Sequence, residues 1–279
     1  MKNVKKGDAL LLRSLQVIEV ADEQRNSYPF NLPLIQAQPH IAFTSPVTFL
    51  VGENGSGKST LLEALACAIG SITVGSVDLR RDATLGPARA LAQSMRLGWS
   101  KKTQKGLFLR AEDYFGYVKY LAQTRQDLAD DLRGVDEAMP NSSAFARSLA
   151  KGVYRGQIEE IDQRYAGGLD ERSHGESFLD FFHARFVPNG LYLLDEPEAP
   201  LSPTRQITLL ALLKHMVGQG AQFIIATHSP ILMAYPDATI LQFGKGEITP
   251  VRYDEVEHVS VTKAFLKNPA AFLRHLDET

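Results

Sequence analysis

Gly52, Glu53, Asn54, Gly55, Ser56, Gly57, Lys58, Ser59 and Thr60 spell G-E-N-G-S-G-K-S-T. They match G-x-x-x-x-G-K-[ST], the pattern of a phosphate-binding loop. The apolar run at residues 47–51 comes before them, and L-L-E-A-L-A at 61–66 follows. Strand, glycine loop and helix in that order are the context the motif requires. Gly52, Gly55 and Gly57 can take positive φ and let the backbone approach a polyphosphate. The loop N–H groups then form an anion nest at a helix N-terminus. Lys58 adds a point charge for the β- and γ-phosphates, and the Ser59 hydroxyl suits Mg²⁺.

Bulk properties fit a soluble enzyme. The chain has 279 residues, enough for one large domain or two small lobes. Lys+Arg is 30 and Asp+Glu is 32, a net charge of −2, so no global basic field announces a nucleic-acid binder. The single cysteine, Cys67, has no partner for an intrachain disulfide, which suits a reducing cytoplasm. The N-terminal apolar run is short and is broken by Arg13, so neither a secretory signal nor a membrane span is expected.

Apolar patterning predicts strands at 10–21 and 35–43 ahead of the loop strand, and a helix from Ser59 to Ile69. A short strand is expected at 72–77, helical or irregular chain at 86–99, and a strand at 106–110. Helical spacing runs through 112–165 and includes Tyr114, Val118 and Leu121, then Phe145, Leu149 and Val153; residues 140–143 break it. Buried strands are expected at 191–194 and 223–226 around a helix at 205–217. A hairpin follows at 240–253, and two short helices close the chain at 262–266 and 270–276. The expected fold class is α/β, with a mostly parallel core, an antiparallel β flank and an inserted helical lobe. The whole of 1–279 reads as one domain, its core formed by 1–85 and 184–279 and its lobe by about 86–183.

Two more segments carry chemistry. Asp195-Glu196 ends the strand at 191–194. A carboxylate at the C-terminal end of a strand parallel to the loop strand can reach a Mg²⁺ shell, a role that falls to Asp195. Glu196, one residue on, can accept a proton from an attacking water. His228 follows the strand at 223–226 and can bond a γ-phosphate oxygen or hold that water. Ser173-His174-Gly175-Glu176 opens an apolar helix. Its hydroxyl and amides form either a second anion site or a helix cap with S-x-x-E spacing.

Taken in order, residues 52–60, Ser173 to Glu176, Asp195-Glu196 and His228 resemble Walker A, signature, Walker B and switch histidine of the ABC ATPases. The resemblance covers nearly the whole chain. It is strongest to the non-transporter, RecF-like and SMC-like branch and to small bacterial AAA-type ATPases. It implies ATP and Mg²⁺ as ligands, with Lys58, Glu196 and His228 as catalytic residues. It also implies a head-to-tail dimer in which Ser173, Gly175 and Glu176 of one subunit close on nucleotide held by the other. Arg172, His174 and Glu176 depart from the family's L-S-G-G-Q, and Ser202 stands at the D-loop aspartate. No clear Q-loop glutamine is present; Arg110 or Glu112 stands in its place. Tyr28 or Phe30 is the candidate for adenine stacking or for core packing. The run at 101–105, K-K-T-Q-K, is a solvated loop or a phosphate contact.

The expected reaction is Mg²⁺-dependent ATP hydrolysis at the β–γ bond in the cytoplasm, serving DNA maintenance or phage defence with a partner protein. Nucleic acid is a conceivable ligand that the charge does not indicate, and the residues themselves do not separate ATP from GTP. The alternatives are the ATPase subunit of a membrane transporter and a nucleotide-gated module with little turnover.

Overall fold

The computed structural model describes residues 10–18, 23–72, 83–164, 174–244 and 246–274. The chain begins with β1 (Leu12–Val17), α1 (Pro33–Gln36), β2 (His40–Ala42), β3 (Val47–Gly52) and α2 (Lys58–Ile69). Then come α3 (Gly86–Gln93), β4 (Met95–Trp99), β5 (Gly106–Arg110), α4 (Ala111–Ala138) and α5 (Ala144–Arg164). The C-terminal part holds α6 (His174–Arg185), β6 (Leu191–Asp195), α7 (Pro203–Gly218), β7 (Gln222–Ala226) and α8 (Pro230–Met233). It ends with β8 (Thr239–Phe243), β9 (Ile248–Val251), α9 (Glu257–Lys267) and α10 (Pro269–Leu273).

The strands form two sheets. One is six-stranded in the order β5-β6-β7-β3-β8-β9, parallel throughout except for the antiparallel edge strand β9. The other is antiparallel in the order β2-β1-β4. The fold class is therefore α/β, with a mostly parallel sheet and an antiparallel flank.

Parallel strands buried on both faces read as near-continuous apolar runs. In β3, Val47, Phe49 and Val51 join one core with α6 and α7, while Leu50 joins the other with α2 and the antiparallel sheet. β6 divides likewise: Tyr192 and Leu194 face one way, Leu193 the other. Gln222, fully buried, ties the sheets together: its Oε1 accepts from the N–H of Leu11 and Leu12 at 2.9 and 2.8 Å, and its Nε2 donates to Leu12 O at 2.9 Å. Tyr114, Phe178, Phe182, Phe186, Tyr192 and Phe223 pack ring on ring under α6, with Tyr114 and Phe178 centroids 4.6 Å apart. Burying rings of this size supplies much of the apolar stabilisation.

Several elements differ from the expectation. The strand predicted at 35–43 shrinks to β2, because Pro33 starts a helical turn in which the amides of Ile35 and Gln36 donate to Leu32 O. Leu34 and Ile35 are both buried in this turn. Residues 95–99 form β4, which pairs along β1. The strand expected at 72–77 lies outside the described residues except Ile72, whose carbonyl accepts from Phe108 N at 2.8 Å. Residues 86–183 contribute α3, β4 and β5 to the sheets and their packing, and the long helices occupy 111–164. α4 and α5 pair antiparallel through Arg125–Asp162 and Lys151–Asp136. Phe145, Leu149 and Val153 have the spacing expected of a packed face, yet all three are exposed on α5. Among the described residues no helix is long and apolar enough to cross a membrane.

Candidate functional site

The parallel register brings the chemistry together. Arg110 is level with Asp195, and Asp195 with Ala226, two residues before His228. β7 lies beside β3, so the C-terminal ends of β5, β6, β7 and β3 open on one edge. Ligands of open parallel sheets bind at that edge.

The loop after β3 turns on glycines: Gly52, Gly55 and Gly57 have φ of 145°, 77° and 94°. A Cβ on Gly52 would lie 2.5 Å from the carbonyl oxygen of Phe243, so β8 leaves room only for glycine. Lys58 starts α2 and is buried. Its Nζ donates to the carbonyls of Gly52 at 2.8 Å and Glu53 at 2.9 Å, across the mouth of the loop. Burial holds its pKa below the usual lysine value, while the charges of Glu196 and Asp195 pull it back up. The Ser56 Oγ is buried and has no hydrogen-bond partner among the described residues. An orphaned hydroxyl in an amide-lined loop fits an anion with several acceptor oxygens.

Ser59 Oγ donates to Asp195 Oδ1 at 3.2 Å. Burial raises the Asp195 pKa to about 7, against the hydrogen bond from Ser59. A hydroxyl and a carboxylate in contact form the start of a hard-oxygen set, the type that suits Mg²⁺. Glu196 stands next in the chain with φ 49°, a left-handed conformation unusual for a side chain with a Cβ. Its N–H donates to Ala226 O at 2.9 Å, and its carboxylate comes within 3.7 Å of His228 Nε2. The His228 N–H in turn donates to Glu198 Oε1 at 2.7 Å, which couples the loops after β6 and β7.

A residue that the sequence reading missed completes this corner. His258, in the first turn of α9, places Nε2 2.8 Å from His228 Nδ1. The helix was expected only from residue 262. The signal lay in Val256 and Val259, a buried i, i+3 pair around Glu257. A cavity of about 560 Å³ opens here, lined by Glu53, Asn54, Glu196, His228, Glu257 and His258, among others.

The remaining candidates separate. Arg110 and Glu112 both line a cavity of about 330 Å³ with Ser59, Asp195 and Glu196. Arg110 is braced there: Nε and Nη2 donate to the Asp113 carboxylate at 2.7 and 3.1 Å, and Nη1 donates to Glu63 at 3.0 Å. Phe30 is buried in the core and is not available to stack on a base. Tyr28 is exposed, and its hydroxyl lies 3.0 Å from Thr60 Oγ1. The 101–105 run precedes β5, at the sheet edge opposite the site. Gly175 and Glu176 stand in the first turn of α6, whereas Ser173 lies outside the described residues.

Residues 27–138 match a family model described as "AAA domain". Residues 177–234 match another, "AAA domain, putative AbiEii toxin, Type IV TA system". The cobalt import ATP-binding protein CbiO of Salmonella typhimurium is 27% identical over 241 residues, covering 80% of this chain and 79% of the relative. The chain is a P-loop ATPase, similar to AAA domains over these two segments and to the ATP-binding proteins of importers over most of its length. The ATPase is also 32% identical over 191 residues to the hemin import ATP-binding protein HmuV of Bordetella parapertussis, covering 63% of this chain and 64% of that one. Solved structures overlap the ATPase loosely. The Smc head domain of Pyrococcus furiosus has a TM-score of 0.47 at 12% identity, covering 92% of this chain and 99% of that one.

Proposed function

We propose that this ATPase cleaves the β–γ bond of ATP with Mg²⁺ in the cytoplasm, and that turnover is coupled to head-to-tail pairing of two copies. The observation that supports this best is the meeting of Lys58, Ser59, Asp195, Glu196 and His228 at one sheet edge. Residues 52–60 cradle the phosphates, and Lys58 leaves its two carbonyls for the β- and γ-phosphates. Ser59 and Asp195 hold Mg²⁺, which when bound neutralises charge on the phosphate oxygens. Glu196 takes the proton of the attacking water, and His228 Nε2 donates to the transferred phosphoryl group. Ser173, Gly175 and Glu176 of the second copy close the site. The single-domain division, with its core and helical lobe, belongs to the same proposal.

For the biological role we favour DNA maintenance or phage defence with a partner protein. In support, Arg172, His174 and Glu176 depart from a transporter-type signature, and the braced Arg110 occupies the strand end where a coupling glutamine would stand. The type IV toxin–antitoxin description attached to residues 177–234 points the same way. The second reading, an importer's ATPase subunit, is favoured by the names of CbiO and HmuV. The test is phosphate release by the purified protein with Mg²⁺ and after chelation, followed by identification of what co-purifies with a Glu196→Gln form. Turnover that survives chelation would sink the Mg²⁺ assignment. A co-purifying membrane permease would decide for the importer.

A further inference from the structure

His228 is held at two points. Its backbone N–H donates to Glu198 Oε1, and its Nδ1 lies 2.8 Å from Nε2 of His258. At that distance one proton lies between the rings, and which ring owns it decides what His228 offers the site. If His228 donated from Nδ1, its Nε2 would be a bare lone pair. That lone pair would face the Glu196 carboxylate at 3.7 Å and the place for the phosphate, an arrangement of acceptor against acceptor. If His258 donates instead, Nε2–H points at those anions. The Nε2 atom is buried and has no hydrogen-bond partner among the described residues, so a donor there is held ready.

We propose that His258 is a positioning residue that donates to His228 Nδ1 and thereby fixes His228 as its Nε2–H tautomer, aimed at the transferred phosphoryl group. The inference rests on the site role given to His228 above. Burial, the Lys58 ammonium and His258 itself lower the His228 pKa, so at neutral pH the ring has a single N–H to place. The donor is rigidly placed. Val256 and Val259 anchor the first turn of α9 in the core, and the Tyr253 hydroxyl donates to Pro230 O at 3.0 Å, tying this segment to α8.

The experiment uses the full chain labelled with ¹⁵N-histidine, without nucleotide. The His228 signals are identified by their loss in His228→Gln. The nitrogen shifts should report Nε2–H in the wild type and a mixture of tautomers in His258→Ala. In the same variant kcat should fall roughly tenfold or more, with KM changed less than about twofold. His258→Gln, whose amide can still donate, should recover most of the rate and the wild-type tautomer. A wild-type His228 protonated at Nδ1 overturns the inference. So does a His258→Ala protein with wild-type kcat, or a His258→Gln protein no better than His258→Ala. Wild-type protein without turnover would sink the proposed function instead, and the tautomer measurement would still decide this inference.

Discussion

Oε1 of Glu196 lies 3.7 Å from Nε2 of His228, although the two residues follow different strands. The left-handed backbone at Glu196, φ 49°, places its carboxylate at that corner. Such a conformation costs on the order of 1–2 kcal/mol for a residue with a Cβ, so it persists only where its surroundings enforce it. Here the enforcing contact is Glu196 N–H on Ala226 O, one step past the end of the β6–β7 ladder. If Glu196 is the general base, Glu196→Gln keeps the shape and loses the proton acceptor. Its turnover should fall roughly 10²–10⁴-fold while ATP still binds. Phosphate-release kinetics with calorimetric titration check this; a rate near wild type would remove Glu196 from the chemistry.

Lys58 gives a second expectation. Its ammonium is buried, donates to the carbonyls of Gly52 and Glu53, and is already below its usual pKa. A phosphate offers it a better partner than two neutral oxygens. Lys58→Ala should weaken ATP binding by about 1.5–3 kcal/mol and abolish turnover. Circular dichroism should show the fold intact. Calorimetry that finds unchanged affinity would break the assignment.

Gln222 carries a prediction about stability alone. Its amide serves the backbone of Leu11 and Leu12, so it joins β7 to the antiparallel sheet. Gln222→Leu leaves those buried groups unsatisfied at roughly 1–3 kcal/mol each. Urea unfolding should show a loss of about 3 kcal/mol or more, with ATP affinity of the folded protein nearly unchanged. A loss below about 1 kcal/mol would mean that water or a shifted β1 replaces the amide.

The phosphate loop was legible because its residues are contiguous and each meets a local demand: positive φ, a charge, a hydroxyl. Asp195, Glu196 and His228 were legible because each follows an uninterrupted apolar run, 191–194 or 223–226. His258 was not, since its role comes from a contact 30 residues away in sequence and from a helix that begins earlier than its apolar spacing suggested. Gln222 reads as the polar start of a strand, and only the second sheet gives it a partner. Phe145, Leu149 and Val153 fit a helix, yet their period does not say which face is covered. Arg110 was visible as a candidate, but not its bracing by Glu63 on α2.

The final prediction concerns the second copy. Ser173 precedes α6, and Gly175 and Glu176 stand in its first turn. The N–H groups of a helix's first turn have no partners within the helix, so they can serve an anion held by another subunit. If they do, ATP that cannot be cleaved should hold two chains together. Glu196→Gln with Mg²⁺-ATP should therefore run as a dimer of twice 30.8 kDa in light scattering, and as a monomer without nucleotide. Ser173→Arg adds bulk and charge at that contact and leaves Lys58 untouched. The double variant should bind ATP and remain monomeric. A monomeric Glu196→Gln protein would remove the sandwich model for the isolated chain. Dimers from both proteins would show that Ser173 is only a helix cap and that the copies meet elsewhere.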